Sequence, residues 1–204
     1  MRILTLAAQK GGAAKTTLAV HLAVEAEKAG ERVVLVDTDP QGSASAWARA
    51  REEPTPVVVA ATAVQLDDVI TASRHDGITL MIVDTPPHAA PGAAAAARIA
   101  DLVLVPVRPS AFDLAAAVAS AALAKPAKRA AFVLSACPSR APEILEARRA
   151  LGVHSIPVLE VEIGERRAYA RAVATGRAVR EFEPDGRAAV EIGRLWREIS
   201  EVMA

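Results

Sequence analysis

The chain has 204 residues, enough for one sizeable hydrophobic core and too few for two comfortable ones. Hydrophobic residues make up 52% and aromatics only 3%, which argues against disorder and for a core of small and branched aliphatics. Lys and Arg total 24 against 24 Asp and Glu, so no global field drives nucleic-acid or membrane binding, although a local patch remains possible.

One cysteine, Cys137, excludes an intramolecular disulfide and a cysteine-only metal site, and is expected to be a small buried or rim residue. The apolar start, Met1 to Leu6, is too short for a signal-peptide core. The longest apolar stretch, Ala89 to Ala97, is broken by Pro91 and Gly92 and falls short of the roughly 18 residues of a spanning helix. A soluble, cytoplasmic chain is expected.

Strands and helices alternate from the start. Arg2 to Ala7 reads as a strand, followed by a glycine turn and a helix from Lys15 to Ala29 that ends at Gly30. Arg32 to Val36 is a continuous Val/Leu run, as in strands buried on both faces. Val57 to Ala60, Thr79 to Val83, Leu102 to Val107, Arg129 to Ser135 and Ser155 to Val161 read as further strands. Helices are predicted at 63–73, 93–100, 111–123, 142–151, 166–175 and 187–202. This βα alternation predicts an α/β fold, a mostly parallel twisted sheet with helices on both faces, in a single domain over residues 1–204.

The stretch Gln9-Lys10-Gly11-Gly12-Ala13-Ala14-Lys15-Thr16-Thr17 lies between a strand and a helix. Glycines allow a tight turn whose N–H groups converge on phosphate oxygens, and the helix adds its positive end. Lys15 can reach β- and γ-phosphates, and the Thr16 hydroxyl can ligate Mg²⁺. Asp37 and Asp39 close one buried strand and Asp84 closes another, at carboxyl ends where ligand crevices of open α/β sheets lie. A lone Asp at a strand end is often a helix cap or turn former. Three of them after a lysine loop suit metal and water positioning better.

Lys10-Gly11-Gly12 before Lys15-Thr16-Thr17 resembles the deviant Walker A loop with its additional lysine. With Asp37-Thr38-Asp39-Pro40-Gln41 and Asp84-Thr85-Pro86-Pro87, the chain resembles ParA-type partition ATPases of the ParA/MinD superfamily. The likeness continues through Leu104–Ser110 and Arg167–Gly176 and covers nearly the whole chain. It is to the small form without an N-terminal helix-turn-helix domain. The resemblance implies ATP/ADP and Mg²⁺ as cofactors, with Gly11, Gly12, Ala13, Ala14, Lys15, Thr16 and Thr17 around the nucleotide. It implies Lys10 reaching the nucleotide of a second subunit in an ATP-sandwiched homodimer, and Asp39 orienting the attacking water. Asp37 and Asp84, with Thr16, would serve Mg²⁺ and its waters. It further implies slow turnover, nonspecific DNA binding on the nucleoid, and a centromere-binding adaptor of ParB type.

Two departures stand out. Relatives carry Gly before the catalytic lysine where this chain has Ala14; if φ there is positive, the cost is of order 1 kcal/mol and more once a phosphate crowds it, roughly a several-fold to tenfold loss in nucleotide affinity. Ser135-Ala136-Cys137 stands where relatives often use Asn to read adenine.

Arg166, Arg167, Arg171, Arg177 and Arg180 lie in a stretch without acids and could grip phosphate backbone. The alternative is a solvated helix face whose arginines pair with Glu160, Glu162, Glu165 or Glu181; the resemblance favours DNA. Ile192, Leu195, Trp196, Ile199 and Val202 share a helical face near the C-terminal end. Because Glu191, Glu198 and Glu201 balance Arg194 and Arg197, that face is expected to pack on the domain rather than bind membrane. His21, His75, His88 and His154 have no ligand spacing. The rival readings are a metabolic P-loop synthetase or kinase acting on a small molecule, and a ParA-like positioner of a protein cargo. Lys10 argues against the enzyme, since a second loop lysine serves a dimer and not a small acceptor.

Overall fold

Apolar runs with no polar face are accommodated only where both sides of a sheet are covered. The computed structural model, which describes residues 1–87 and 91–204, covers them in this way. The elements are β1 (Arg2–Leu6), α1 (Lys15–Lys28), β2 (Val33–Asp37), α2 (Ser43–Arg49), β3 (Val57–Ala60), α3 (Leu66–His75), β4 (Leu80–Asp84) and α4 (Pro91–Ile99). There follow β5 (Leu102–Val107), α5 (Ala111–Ala124), β6 (Ala130–Cys137), α6 (Glu143–Leu151), β7 (Val158–Gly164), α7 (Arg167–Val173), α8 (Val179–Phe182) and α9 (Arg187–Met203). His88 and the start of the 89–97 apolar stretch lie outside the described residues.

The seven strands form one parallel sheet in the order β3-β2-β4-β1-β5-β6-β7. The α/β fold expected from the alternation is the observed one. Strand residues alternate between two covered faces: Leu102 and Leu104 join the core under α1 and α9, whereas Val103 and Val105 join the opposite core with Phe132 and Leu134.

Several elements differ from expectation. Strands β2 and β4 each run one residue further than predicted, so that Asp37 and Asp84 are themselves the last strand residues. β7 lies three residues later than predicted at both ends. Helices α2 and α8 were not foreseen, because α2 opens on a left-handed Gly42 and α8 is a four-residue piece.

The apolar face of α9 is buried at Ile192, Leu195, Trp196 and Ile199, with Val202 half-buried on the same core. Its acids have a second use. Glu198 accepts the backbone N–H groups of Glu160 and Val161 at 2.9 and 3.0 Å, and Glu191 accepts that of Gly164 at 3.2 Å. These are donors of β7, an outermost strand of the sheet, so α9 both covers the core and satisfies an edge.

Candidate functional site

Pairing register sets the site. Leu6 is level with Asp84, and Asp84 with Asp37, so the carboxyl ends of β1, β4 and β2 stand in a row. The chain leaving β1 is pinned by the Thr85 hydroxyl, which donates to the Leu6 carbonyl at 2.8 Å, and by the Ser135 hydroxyl, which donates to the Ala13 carbonyl at 3.2 Å. On either side of the second pin the loop turns through left-handed residues, Gly12 at φ +76° and Ala14 at φ +71°. Ala14 therefore occupies the conformation in which a Cβ is penalised. It is also the N-cap of α1 and supplies no side-chain cap, so the first amides of α1 remain available to an anion.

A cleft of about 230 Å³ gathers Gly11, Gly12, Ala14, Lys15, Thr16 and Thr17 with Asp39 and Pro87. Lys15 is 7% exposed; burial lowers its amine's pKa, and Asp84 and Asp39 act to raise it. Asp84 is fully buried, and neither carboxylate oxygen has a hydrogen-bond partner among the described residues. Burial pushes its carboxyl up to about 7, Asp37 and Asp39 add to this, and nearby Thr16 and Lys15 oppose it. Asp37 is the opposite case. Its Oδ2 accepts the N–H and hydroxyl of Ser45, both at 2.8 Å, and its Oδ1 accepts the N–H of Asp39 at 3.2 Å. Asp37 thus caps α2 as well as closing β2.

These residues suit Mg²⁺. A buried carboxylate with no hydrogen-bond partner among the described residues lies near a hydroxyl, a lysine and a second acid, while no described cluster of three or more His, Cys, Asp or Glu could enclose a metal. That combination fits an ion retaining several waters and bound partly through phosphates.

Lys10 points elsewhere. Its ammonium meets Asp113 Oδ2 at 2.7 Å, lies 5.8 Å from the centroid of the exposed Phe112 ring, and keeps 42% of its side chain exposed. The Ser110 hydroxyl also bonds Asp113 Oδ2, and the N–H of Gln9 donates to Ser120 at 3.1 Å, so the loop's entry rests on α5. Asp113 and Ser120 were not foreseen as site residues. The Ser110-x-x-Asp113 spacing, a helix-start signature, was the available signal for Asp113.

On the other flank, a slot of about 470 Å³ opens between Ala14, Thr17 and Leu18 and the segment Gly164–Tyr169, with Ala136 also at its wall. Behind it Glu191 binds Arg166 and accepts the Tyr169 hydroxyl at 3.0 Å. Ser135 is committed to the loop. A separate cavity of about 930 Å³ lies at the far end of α1 among residues of both charges, away from the loop.

The five arginines separate. Arg166 pairs with Glu191, and Arg180 donates to both oxygens of Glu25 at 3.0 Å; neither partner was among the acids considered from sequence. Arg171 is 4.0 Å from Glu183 and packs on Phe182. Arg167 and Arg177 are exposed, with no acid within salt-bridge distance among the described residues. Cys137 is buried, and burial pushes its thiol up to about 12. No described helix is long and apolar enough to cross a membrane.

The family described as the CobQ/CobB/MinD/ParA nucleotide binding domain matches residues 4–179. Maintenance of carboxysome distribution protein A of Gloeobacter kilaueensis is 35% identical over 97% of this chain and 96% of its own length. Protein ParA of Rhizobium radiobacter is 31% identical over 83% of this chain and 81% of its own. Among solved structures, the septum site-determining protein MinD of Pyrococcus horikoshii OT3, complexed with Mg-ADP, superposes with a TM-score of 0.81 at 18% identity, covering 100% of this chain and 98% of that one.

Proposed function

Since the chain belongs to the CobQ/CobB/MinD/ParA nucleotide-binding family and is an ATPase of ParA/MinD type, we propose that it is a positioning protein switched by ATP. Residues 1–204 act as one unit that dimerises around ATP, binds DNA nonspecifically on the nucleoid, and works with an adaptor protein. One observation carries this reading: of the two loop lysines, Lys15 is buried in the cleft whereas Lys10 is turned out onto α5. A single acceptor needs one of them. A sandwich of two subunits uses both.

Within the cleft, Lys15 and the amides opening α1 hold the β- and γ-phosphates. The Thr16 hydroxyl, with Asp84 and Asp37 acting through water, holds Mg²⁺, which neutralises phosphate charge when bound. Asp39, at the cleft's rim, orients the attacking water. The slot beside Leu18 and Tyr169 takes the nucleobase, read by backbone rather than by a side-chain amide. Arg167, Arg171 and Arg177 form the outward phosphate-gripping face, and the paired Arg166 and Arg180 brace it.

The cargo divides the reading. Plasmid or chromosome DNA with a ParB-type adaptor is one choice. The 35% identity to a carboxysome distribution protein favours a protein assembly as the other. The test is ATP turnover with and without DNA, dimer mass with ATP against ADP, and DNA binding across salt. ATP-dependent, salt-sensitive DNA binding is expected. Turnover of a small acceptor with no DNA binding in ATP would overturn the reading in favour of a synthetase or kinase.

A further inference from the structure

Helix α2 touches both the acids at the strand ends and the turn that carries the arginines. At its start, Ser45 places two donors on Asp37 Oδ2. At its end, the Trp47 indole N–H donates to the Arg177 carbonyl at 3.1 Å. Arg51, just beyond, donates to the Gly176 carbonyl at 3.0 Å and to the two Glu181 oxygens at 2.9 and 2.7 Å. The Arg51 side chain is only 5% exposed, and its guanidinium lies 5.0 Å from the centroid of the Trp47 ring. Gly176 stands at φ +67°, so near Ala50 that a Cβ there would fall 2.4 Å from the Ala50 carbonyl.

We propose that α2 is a strut carrying the state of the Asp37–Asp84 site to the Gly176–Glu181 turn, and so to the outward arginines. The proposal rests on the reading of those acids as a Mg²⁺–nucleotide site. Seven residues of helix span roughly 10 Å, short enough to move as one body. Both acceptor positions of Asp37 Oδ2 are taken by Ser45, so any ligand or water shell that draws on that oxygen competes directly with Ser45. Release or tightening of that contact shifts the first turn of α2. The far end cannot absorb a shift by sliding, since a bidentate ion pair and a backbone-to-backbone contact at Gly176 fix it. A buried arginine is a poor choice for simple stability, because its desolvation offsets much of its attraction. Two discrete arrangements of a hydrogen-bonded element are what coupling between sites requires.

The test follows backbone amide exchange over residues 176–183 as Mg-ADP and Mg-ATP are added, in the full chain and in Arg51→Lys and Trp47→Phe. Trp47→Phe keeps an aromatic ring beside Arg51 while removing the donor to Arg177 and part of the ring's bulk, so it serves if Arg51→Lys does not fold. Nucleotide should change exchange over 176–183 at least threefold in the parent chain. That response should be lost in the variant, with nucleotide affinity kept within about threefold. In parallel, the ratio of DNA affinities in ATP and ADP should fall toward one. An undiminished response in the variants overturns the proposal, as does no response in a nucleotide-bound parent chain. Failure to bind nucleotide overturns both this proposal and the proposed function. A normal exchange response without DNA binding overturns the DNA reading and upholds the strut.

Discussion

Ala14 holds φ +71° at the point where the loop must approach phosphate. Because that φ is already held in the nucleotide-free chain, replacing Ala14 with Gly relieves a cost of folding, and Ala14→Gly is expected to stabilise the chain by about 1 kcal/mol in chemical denaturation. Asp84 sets a second conflict, between stability and function. Because burial pushes its carboxyl up to about 7, and neither oxygen has a hydrogen-bond partner among the described residues, Asp84→Asn should stabilise the nucleotide-free chain at pH 8 by roughly 1–4 kcal/mol while abolishing the effect of Mg²⁺ on nucleotide binding. Denaturant melts with and without Mg-ADP check both parts. His21, fully buried with Nδ1 accepting the Val179 N–H at 3.2 Å, is lowered to about 3 by burial. The unfolded chain therefore binds a proton that the folded chain refuses between about pH 6.5 and 3, and stability falls as pH drops through that window. From pH 6.5 to 5 this one group costs about 1.6 kcal/mol, and His21→Leu should reduce the difference in unfolding free energy between those pH values by that amount, read from denaturant melts.

At the scale of elements, α9 is expected to stabilise β7 through its acids. Glu198→Ala leaves the N–H groups of Glu160 and Val161 without their acceptor, and should cost about 1–3 kcal/mol by chemical denaturation. The central strands were legible in the sequence because Val33-Val34-Leu35-Val36 and Leu102–Val107 have no polar face to place. Helix α2 was not. Its start is capped by a carboxylate from Asp37, eight residues before Ser45, and its first residue follows a left-handed glycine. An acid in such a position looks alike in sequence whether it caps a helix, serves a metal, or does both. The partners of the arginines were hidden for a related reason. Arg180 meets Glu25 across 155 residues and Arg51 meets Glu181 across 130, separations that only the folded topology closes. That the loop and Asp39 share one cleft was legible because each is marked by local order along the chain, a glycine turn before a helix and an acid just past a strand end.

For the whole molecule, the separation of the two lysines yields a division of labour that can be measured. Lys10→Gln is expected to leave nucleotide binding by the single chain within a few-fold while removing ATP-dependent dimerisation, seen as loss of the dimer mass in light scattering. Lys15→Gln should lose nucleotide binding itself. If DNA is gripped by Arg167, Arg171 and Arg177, each Arg→Ala change should weaken binding evenly across sequences and lower the salt slope by about one. The sheet has an asymmetry with a different outcome. Its β7 edge is sealed by Glu191 and Glu198, whereas β3 at the opposite edge, a Val-Val-Val-Ala ribbon with Val57 half exposed, receives no such side-chain seal among the described residues. Any strand-by-strand polymer of this chain would therefore nucleate at residues 57–60, and a single lysine placed on that ribbon should slow fibre growth more than the same change elsewhere in the sheet.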